Sequence, residues 1–497
     1  MKKPEAIVIG AGIGGLVAAL ELLNKGLTVS VLESAEKPGG KMRQLNVQGQ
    51  PIDSGPTVFT MRWIFEEIFS NAGSHICEHL QTRPVTLIAR HAWSDGSQLD
   101  LFADLDQSAE AIAAMAGRKE ADRYLSFCAR SKRIFDSLYG PFTRSQRPTL
   151  SSLIRASGWS GIVNLFRIQP FQSLWRSLNS SFSDRRLQSL FARYATYCGS
   201  NPLQAPATLM LIAHTEQCGV WQLEGGMQSL ADALAGLIGR QGGEIRYGKR
   251  VVDLTLDRGR VSGVKLADGK HLSADVVIAN TDVASIQAGQ LGSAAAAAMP
   301  GRRPSERSLS AVTWSALANT SGFDLAHHNV FFPDDYPQEF DDIFKHGRLP
   351  ARPAVYVCAQ DRGHAMTYEE KQERLFIIVN APANGDRENY EHTKTEELES
   401  RMLNLLGQCG LHIDEGTWSR IITTPADFEQ RFPGTGGALY GMPSHGWRSS
   451  FSRSGARSRM HGLFLAGGSV HPGAGVPMVA LSGQLAAVAA ARELGLN

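Results

Sequence analysis

The stretch "AIVIGAGIGGLVAALELLNKGLTVSVLE", Ala6 to Glu33, decides the fold. "AIVI" is a short β-branched run, read as a buried parallel strand. Gly10, Gly12 and Gly15 follow in G-x-G-x-x-G spacing, with Ile13 and Gly14 completing the loop. Leu16, Ala19, Leu20 and Leu23 recur at helical spacing, Gly26 stops the helix, and "TVSVLE" forms a second strand. Gly10 allows a tight turn, Gly12 lets backbone approach a pyrophosphate, and Gly15 lets helix pack on strand. The helix N-terminus then offers free N–H groups and the positive end of its dipole to phosphate. Glu33 ends the second strand 18 residues after Gly15, with Ser34 beside it. An acid there can bond ribose hydroxyls, and the whole unit predicts dinucleotide binding.

Composition bounds what surrounds this unit. The chain has 497 residues, 43% hydrophobic and 20% charged, which suits a folded protein of two or more domains. A net charge of +2 gives no electrostatic case for nucleic acid. Six scattered cysteines without a C-x-x-C pair argue against a disulfide framework or zinc site and fit a reducing compartment. The start "MKKPEAIVIGAG" mimics a signal peptide, but glycines and Glu21 break its apolar run, so it reads as the opening strand of a domain. No apolar run reaches about 18 residues, so no transmembrane helix is expected. Histidines, including His327 and His328, lack metal spacing, so no metal is expected.

The next glycines choose the dinucleotide. "KPGGKMRQL", Lys37 to Leu45, supplies Gly39, Gly40, Lys41 and Arg43. It resembles the second glycine signature of the glutathione-reductase-type flavoproteins, which implies FAD, with Gly40, Lys41 and Arg43 along the diphosphate and ribityl chain. An Arg beside a diphosphate is also good electrostatics. "DSGPTVFT", Asp53 to Thr60, continues that pattern and implies backbone at Pro56 and Thr57 near the flavin. In the same superfamily a strand beginning near Val251 passes backbone groups to adenine. "RFPGTGGALYG", Arg431 to Gly441, has no strand before its glycines and reads as a cavity loop, not an NADPH site.

The expected fold class is α/β: a discontinuous glutathione-reductase-type, Rossmann-like FAD domain, a mixed-sheet substrate domain, and a helical membrane-facing region. The expected pieces are 1–80, 225–285 and 451–497 for FAD, 81–224 for the helical part, and 286–450 for the substrate sheet. Between Ser137 and Ser183 no acidic residue occurs, while arginines alternate with Trp159, Phe166, Phe171, Trp175 and Phe182. Such sequence suits an anionic membrane surface; it also suits a lid with aromatics turned inward. The expected location is cytoplasmic, peripheral to the inner membrane.

"GLFLAGGSVHPGAGVPMVALSGQLAA", Gly462 to Ala487, resembles the C-terminal signature of bacterial carotenoid desaturases, and "GVWQLEGGMQSLADAL", Gly219 to Leu234, matches the same family. "DSGPTVFTMRWIFEEIF" and "LIARHAWSDGSQLDLFAD" look like the 1-hydroxycarotenoid 3,4-desaturases, also called hydroxyneurosporene or methoxyneurosporene dehydrogenases. The resemblance implies that an acyclic carotenoid gains a C–C double bond, at C3–C4 of a 1-hydroxy carotenoid, as hydride passes to flavin. Phytoene or other carotene desaturation and flavin amine oxidation are the alternatives. Electrons would leave to oxygen or a quinone. Gly468 would admit the flavin, and the N–H groups of Met478 and Val479 would face its anionic edge. His471 is the candidate catalytic residue, as a proton acceptor; alternatively it fixes the turn by bonding backbone carbonyls.

Overall fold

A computed structural model describes residues 3–146, 171–299, 306–363 and 372–496. Much of the arginine-aromatic segment, including Trp159 and Phe166, lies outside the described residues.

The opening stretch folds as its pattern requires. Glu5–Ile9 is a strand, Ile13–Asn24 a helix and Thr28–Leu32 the next strand, paired in parallel. They form the centre of a five-stranded, all-parallel sheet. In spatial order its strands are Glu244–Arg246, Thr28–Leu32, Glu5–Ile9, Val276–Ala279 and Leu463–Leu465. One sheet is thus assembled from three distant parts of the chain. Side chains alternate across it. Ala6 and Val8 join the helices Ile13–Asn24, Gln228–Arg240 and Val476–Glu493 in one core. Ile7 and Ile9 join a three-stranded meander, Val251 to Ser273, in another.

A second sheet has seven strands: Ser419–Thr423, Ser310–Ala318, Glu373–Ala381, Val355–Ala359, His328–Phe332, Leu87–Trp93 and Gln98–Phe102. All neighbours are antiparallel except His328–Phe332 with Leu87–Trp93. Trp314, Ala316 and Val357 bury one face under the helix His392–Gln408. The opposite face packs on helices Arg118–Leu138, Leu174–Ser181 and Arg185–Ala192.

The aromatics of the basic segment divide between two fates. Phe182 is fully buried and Trp175 packs half-buried against that helical core. Phe171 is 68% exposed and stacks edge-on against Trp447. Among the described residues, no helix is long and apolar enough to cross a membrane.

Candidate active site

Two helix N-termini meet beside the parallel sheet. Gly10 sits at φ +93°, and a Cβ on Gly15 would stand 2.1 Å from the Gly10 carbonyl oxygen. Only glycine allows both the turn and the helix contact. A Cβ on Gly14 would lie 3.1 Å from the Gly467 nitrogen and 3.2 Å from a Val479 methyl. The glycine loop, the Gly467–Gly468 turn and the first turn of helix Val476–Glu493 are therefore in direct contact. Gly483 lets the helices cross closely, since its Cβ would fall 2.3 Å from the Gly14 oxygen.

The second glycine pair joins the same place through bare backbone. Gly39 N–H donates to the Ala11 carbonyl at 2.8 Å, and a Cβ on Gly40 would be 3.3 Å from Gly12 Cα. Glu33 is buried at the strand end, where its two oxygens accept from Ala11 N–H (2.6 Å) and Ala35 N–H (2.7 Å). Oε1 also accepts from the Ser34 hydroxyl at 3.2 Å, while Oε2 keeps a further lone pair for a ligand hydroxyl. Glu33 N–H bonds the Arg246 carbonyl and its own carbonyl accepts from Lys249 N–H, two residues before Val251. Ser34 is exposed beside it.

These residues fit FAD. The cradle is glycine wherever a Cβ would fill it, the N-terminus of helix Ile13–Asn24 supplies donors for a diphosphate, and a held carboxylate stands where the ribose is expected.

Lys41 and Arg43 turn elsewhere than the motif suggests. Lys41 Nζ donates to the Leu439 carbonyl at 2.6 Å and lies over the Phe432 ring. Arg43 reaches Thr423 Oγ1 at 3.2 Å and lies over the Phe428 ring. Burial lowers both pKa values, that of Arg43 to about 10, with Arg431 adding to the effect. The backbone at Gly39–Gly40, not these side chains, meets the first loop. Val479 is a second departure. The last helix begins at Val476, one residue before the proline, so Val479 N–H already donates to the Gly475 carbonyl at 2.9 Å. First-turn N–H groups of a helix lack intrahelical partners, which leaves Met478 for an anion.

The loop after Asp53 is pinned on both sides. Asp53 Oδ2 accepts from Met227 N–H at 2.6 Å, and Gln360 brackets its backbone N–H and carbonyl at 3.0 and 2.8 Å. Burial raises the Asp53 pKa against those hydrogen bonds. Pro56 and Thr57 follow, half-buried, and Thr57 Oγ1 lies 2.6 Å from the Tyr356 hydroxyl. The glycines of 434–436 face an internal anion: Glu429 accepts from Gly434, Thr435 and Gly436 N–H at 2.7, 2.9 and 2.6 Å. That nest has no room for a second phosphate.

His471 is buried. Its N–H donates to the Ser454 carbonyl at 2.8 Å, and its Nε2 lies 2.9 Å from the Phe142 carbonyl. Burial, reinforced by the Arg453 charge, lowers its pKa to about 4 against the Phe142 bond. Its Nδ1 is buried without a partner.

Long-range contacts hide three further residues from the linear pattern. Asn280, after strand Val276–Ala279, wedges against all four glycines of the first loop; with Oδ1 turned inward it accepts from Gly12 and Gly15 N–H at 3.2 and 3.3 Å. Arg453 is buried and donates to the Met442 carbonyl at 2.8 Å and to those of Tyr440 and Gly468 at 3.3 Å. Cys358 Sγ comes within 3.6 Å of His327 Nε2, while His328 bonds the Tyr356 hydroxyl at 2.7 Å. Neither histidine is a solvated surface group.

Residues 13–491 match the family model for flavin containing amine oxidoreductases. The chain is 51% identical over 488 residues to a hydroxyneurosporene desaturase of Rubrivivax gelatinosus, covering 98% of this chain and 93% of that protein. It is 42% identical to a hydroxyneurosporene desaturase of Cereibacter sphaeroides, with 99% and 98% covered. Among solved structures, a putrescine oxidase superposes with a TM-score of 0.61 at 13% identity, covering 99% of each chain. Cyclohexylamine oxidase from Brevibacterium oxydans gives 0.60 at 17%, covering 99% of this chain and 100% of that one. The fold is thus of the flavin amine oxidase type. The chain belongs to the flavin-containing amine oxidoreductase family, in its carotenoid desaturase branch.

Proposed function

We propose that this protein is an FAD-dependent carotenoid desaturase that introduces a double bond at C3–C4 of an acyclic 1-hydroxy carotenoid. The observation that carries this reading is the 51% identity along 98% of the chain to a hydroxyneurosporene desaturase, with the glycine cradle for FAD intact. When bound, FAD supplies the acceptor for hydride from the C–H bond being broken.

The chain's own residues do the rest. The Gly10–Gly15 loop and Gly40 let the diphosphate approach closely, and the Ile13 and Gly14 N–H groups with the helix dipole hold it. Glu33 and Ser34 hold the ribose side, and Val251 the adenine side. Pro56, Thr57, Gly468 and the Met478 N–H line the flavin end. The seven-stranded sheet and the helices beneath it keep water from the chain being oxidised. The FAD portion comprises 1–80, 225–285 and 451–497.

His471 acts as a positioning residue. A histidine with its pKa near 4 stays neutral through the working range, and its Nε2–H is engaged by Phe142. Its lowered pKa means that its stabilising effect is complete above about 6.5 and is lost as pH falls towards about 4. The rate of the chemical step should therefore show no ionisation between pH 6 and 8.5 attributable to His471, an interval that begins roughly two units above its pKa. A limb near 6.5 that vanishes in His471→Gln would make it the proton acceptor instead.

Membrane contact follows from the substrate, which dissolves in lipid, and the basic segment 137–183 is its proposed seat. Exposed Phe171, packed on Trp447 with Arg448 over that ring, supports this, because an apolar tip flanked by cations suits an anionic surface. Electrons leave to oxygen or a quinone.

The test uses FAD-loaded protein with 1-hydroxy carotenoid in anionic liposomes. The protein should sediment with the vesicles and yield a product two hydrogens lighter with its absorption shifted to the red. Turnover of phytoene alone would move the assignment to that branch, and unchanged carotenoid throughout would reject it.

A further inference from the structure

A cavity of about 30 Å³ lies between the seven-stranded sheet and the helical layer. Its walls are apolar at Val58, Leu101, Leu190 and Val330, yet Arg193, Tyr194, Tyr197, Glu216 and His328 also line it. The Tyr194 hydroxyl donates to Glu216 Oε2 at 2.7 Å. Burial raises the Glu216 carboxyl to about 7, against the Tyr194 and Tyr197 hydroxyls and the Arg193 charge, which lower it. Arg193 lies over the Tyr356 ring, 5.3 Å from its centre. Its Nε–H is buried and has no hydrogen-bond partner. Among the described residues no carboxylate pairs with it at ion-pair distance.

A cavity this small with an unmet donor in its wall fits a single polar group, such as the terminal oxygen of a longer hydrocarbon. The volume suits one small polar group, since a water needs about 10–15 Å³ by the same measure. The place is also right. The Tyr356 hydroxyl under Arg193 bonds Thr57 Oγ1 at 2.6 Å, and Val58 forms part of the wall. The cavity is therefore adjacent to the loop assigned to the flavin. C1 and C3 of the substrate are two bonds apart, about 2.5 Å, so an oxygen on C1 must be held beside the reaction centre.

We infer that Arg193 and Glu216 form the specificity pocket for the terminal oxygen of the polyene, Arg193 Nε–H donating to that oxygen and Glu216 accepting its O–H. This rests on the desaturase reading. Tyr194 and Tyr197 position Glu216, and Thr57, Tyr356 and His328 link the pocket to the loop.

The experiment compares kcat/KM for an acyclic 1-hydroxy carotenoid with the same carotenoid lacking the oxygen. Wild type should prefer the oxygenated chain by at least about 100-fold, because a site built to bond a hydroxyl leaves buried groups unpaired with the analogue. Arg193→Met should cut that ratio at least about tenfold, with the larger loss on the oxygenated substrate; Glu216→Gln should cut it less. Quenching of tryptophan fluorescence by bound carotenoid should show the same change in preference. Equal loss on both substrates, or an unchanged ratio in both variants, would overturn the pocket. Should neither variant retain FAD, a wild type without preference overturns it just as well. Absence of turnover with every carotenoid would instead reject the desaturase reading.

Discussion

Gly15→Ala should leave the protein unable to retain FAD. The new Cβ would stand 2.1 Å from the Gly10 carbonyl oxygen and 3.1 Å from Asn280 Cβ. Neither neighbour can yield. The first is backbone inside a turn whose residue already sits at φ +93°, and the second is the wedge that holds that turn. The helix must therefore move away from the strand, and its N–H groups move with it. Overpacking of this kind costs about 1–3 kcal/mol before any ligand is considered. Displacing the phosphate donors by a fraction of an ångström weakens several charge-assisted bonds together, each worth about 1.5–3 kcal/mol. The expected result is at least about a 100-fold rise in the FAD dissociation constant, or apoprotein after gel filtration by the ratio of flavin to protein absorbance. Gly239→Ala is the control. It lies within helix Gln228–Arg240 and its Cβ would meet nothing within 4 Å, so stability should hold or rise by up to about 1 kcal/mol. Full FAD retention by Gly15→Ala would mean that the loop is not the diphosphate cradle.

This prediction was legible in the sequence because its causes are local. A glycine motif encodes a turn and a close approach within six residues, and the strand-helix-strand pattern around it follows from period alone. The partners that hold the motif were not legible, because each is brought by folding. Asn280 comes from 265 residues beyond Gly15, and Gly483 from the far end of the chain. The side chains of Lys41 and Arg43 show how folding adds partners that a motif does not announce. Their charges suggest phosphate, but Phe432, Phe428, Thr423 and the Leu439 carbonyl offer them nearer partners. Helix register is equally non-local: a start at Val476 puts the Val479 N–H into a bond with the Gly475 carbonyl. The Arg193–Glu216 pair in the cavity wall carried no sequence signal. A lone Arg and a lone Glu 23 residues apart become a site only when two helical segments are laid against a sheet.

Arg453→Met should separate folding from turnover. Two effects on stability oppose each other. The guanidinium is buried, which lowers its pKa and makes its charge costly to keep. Against that stand one good hydrogen bond, 2.8 Å to the Met442 carbonyl, and weaker ones of 3.3 Å to the Tyr440 and Gly468 carbonyls. A methionine of similar length removes the charge and leaves carbonyls, which tolerate a missing partner better than donors do. The net loss should be about 1–2 kcal/mol, small for a chain of this size. Turnover has no such compensation. Arg453 ties the Gly468 turn to the 440–444 loop, and Gly473, at φ +133°, packs against its side chain. With that tie gone, both walls of the proposed flavin end can drift, and a displacement near 1 Å costs about 100-fold in rate. The expected outcome is full FAD content, a melting temperature lowered by only a few degrees, and kcat reduced roughly 100-fold with KM little changed. Arg453→Lys should resemble the methionine variant, because one ammonium cannot reach three carbonyls that a planar fork spans. Turnover within about threefold of wild type would show that the two walls hold their places without it.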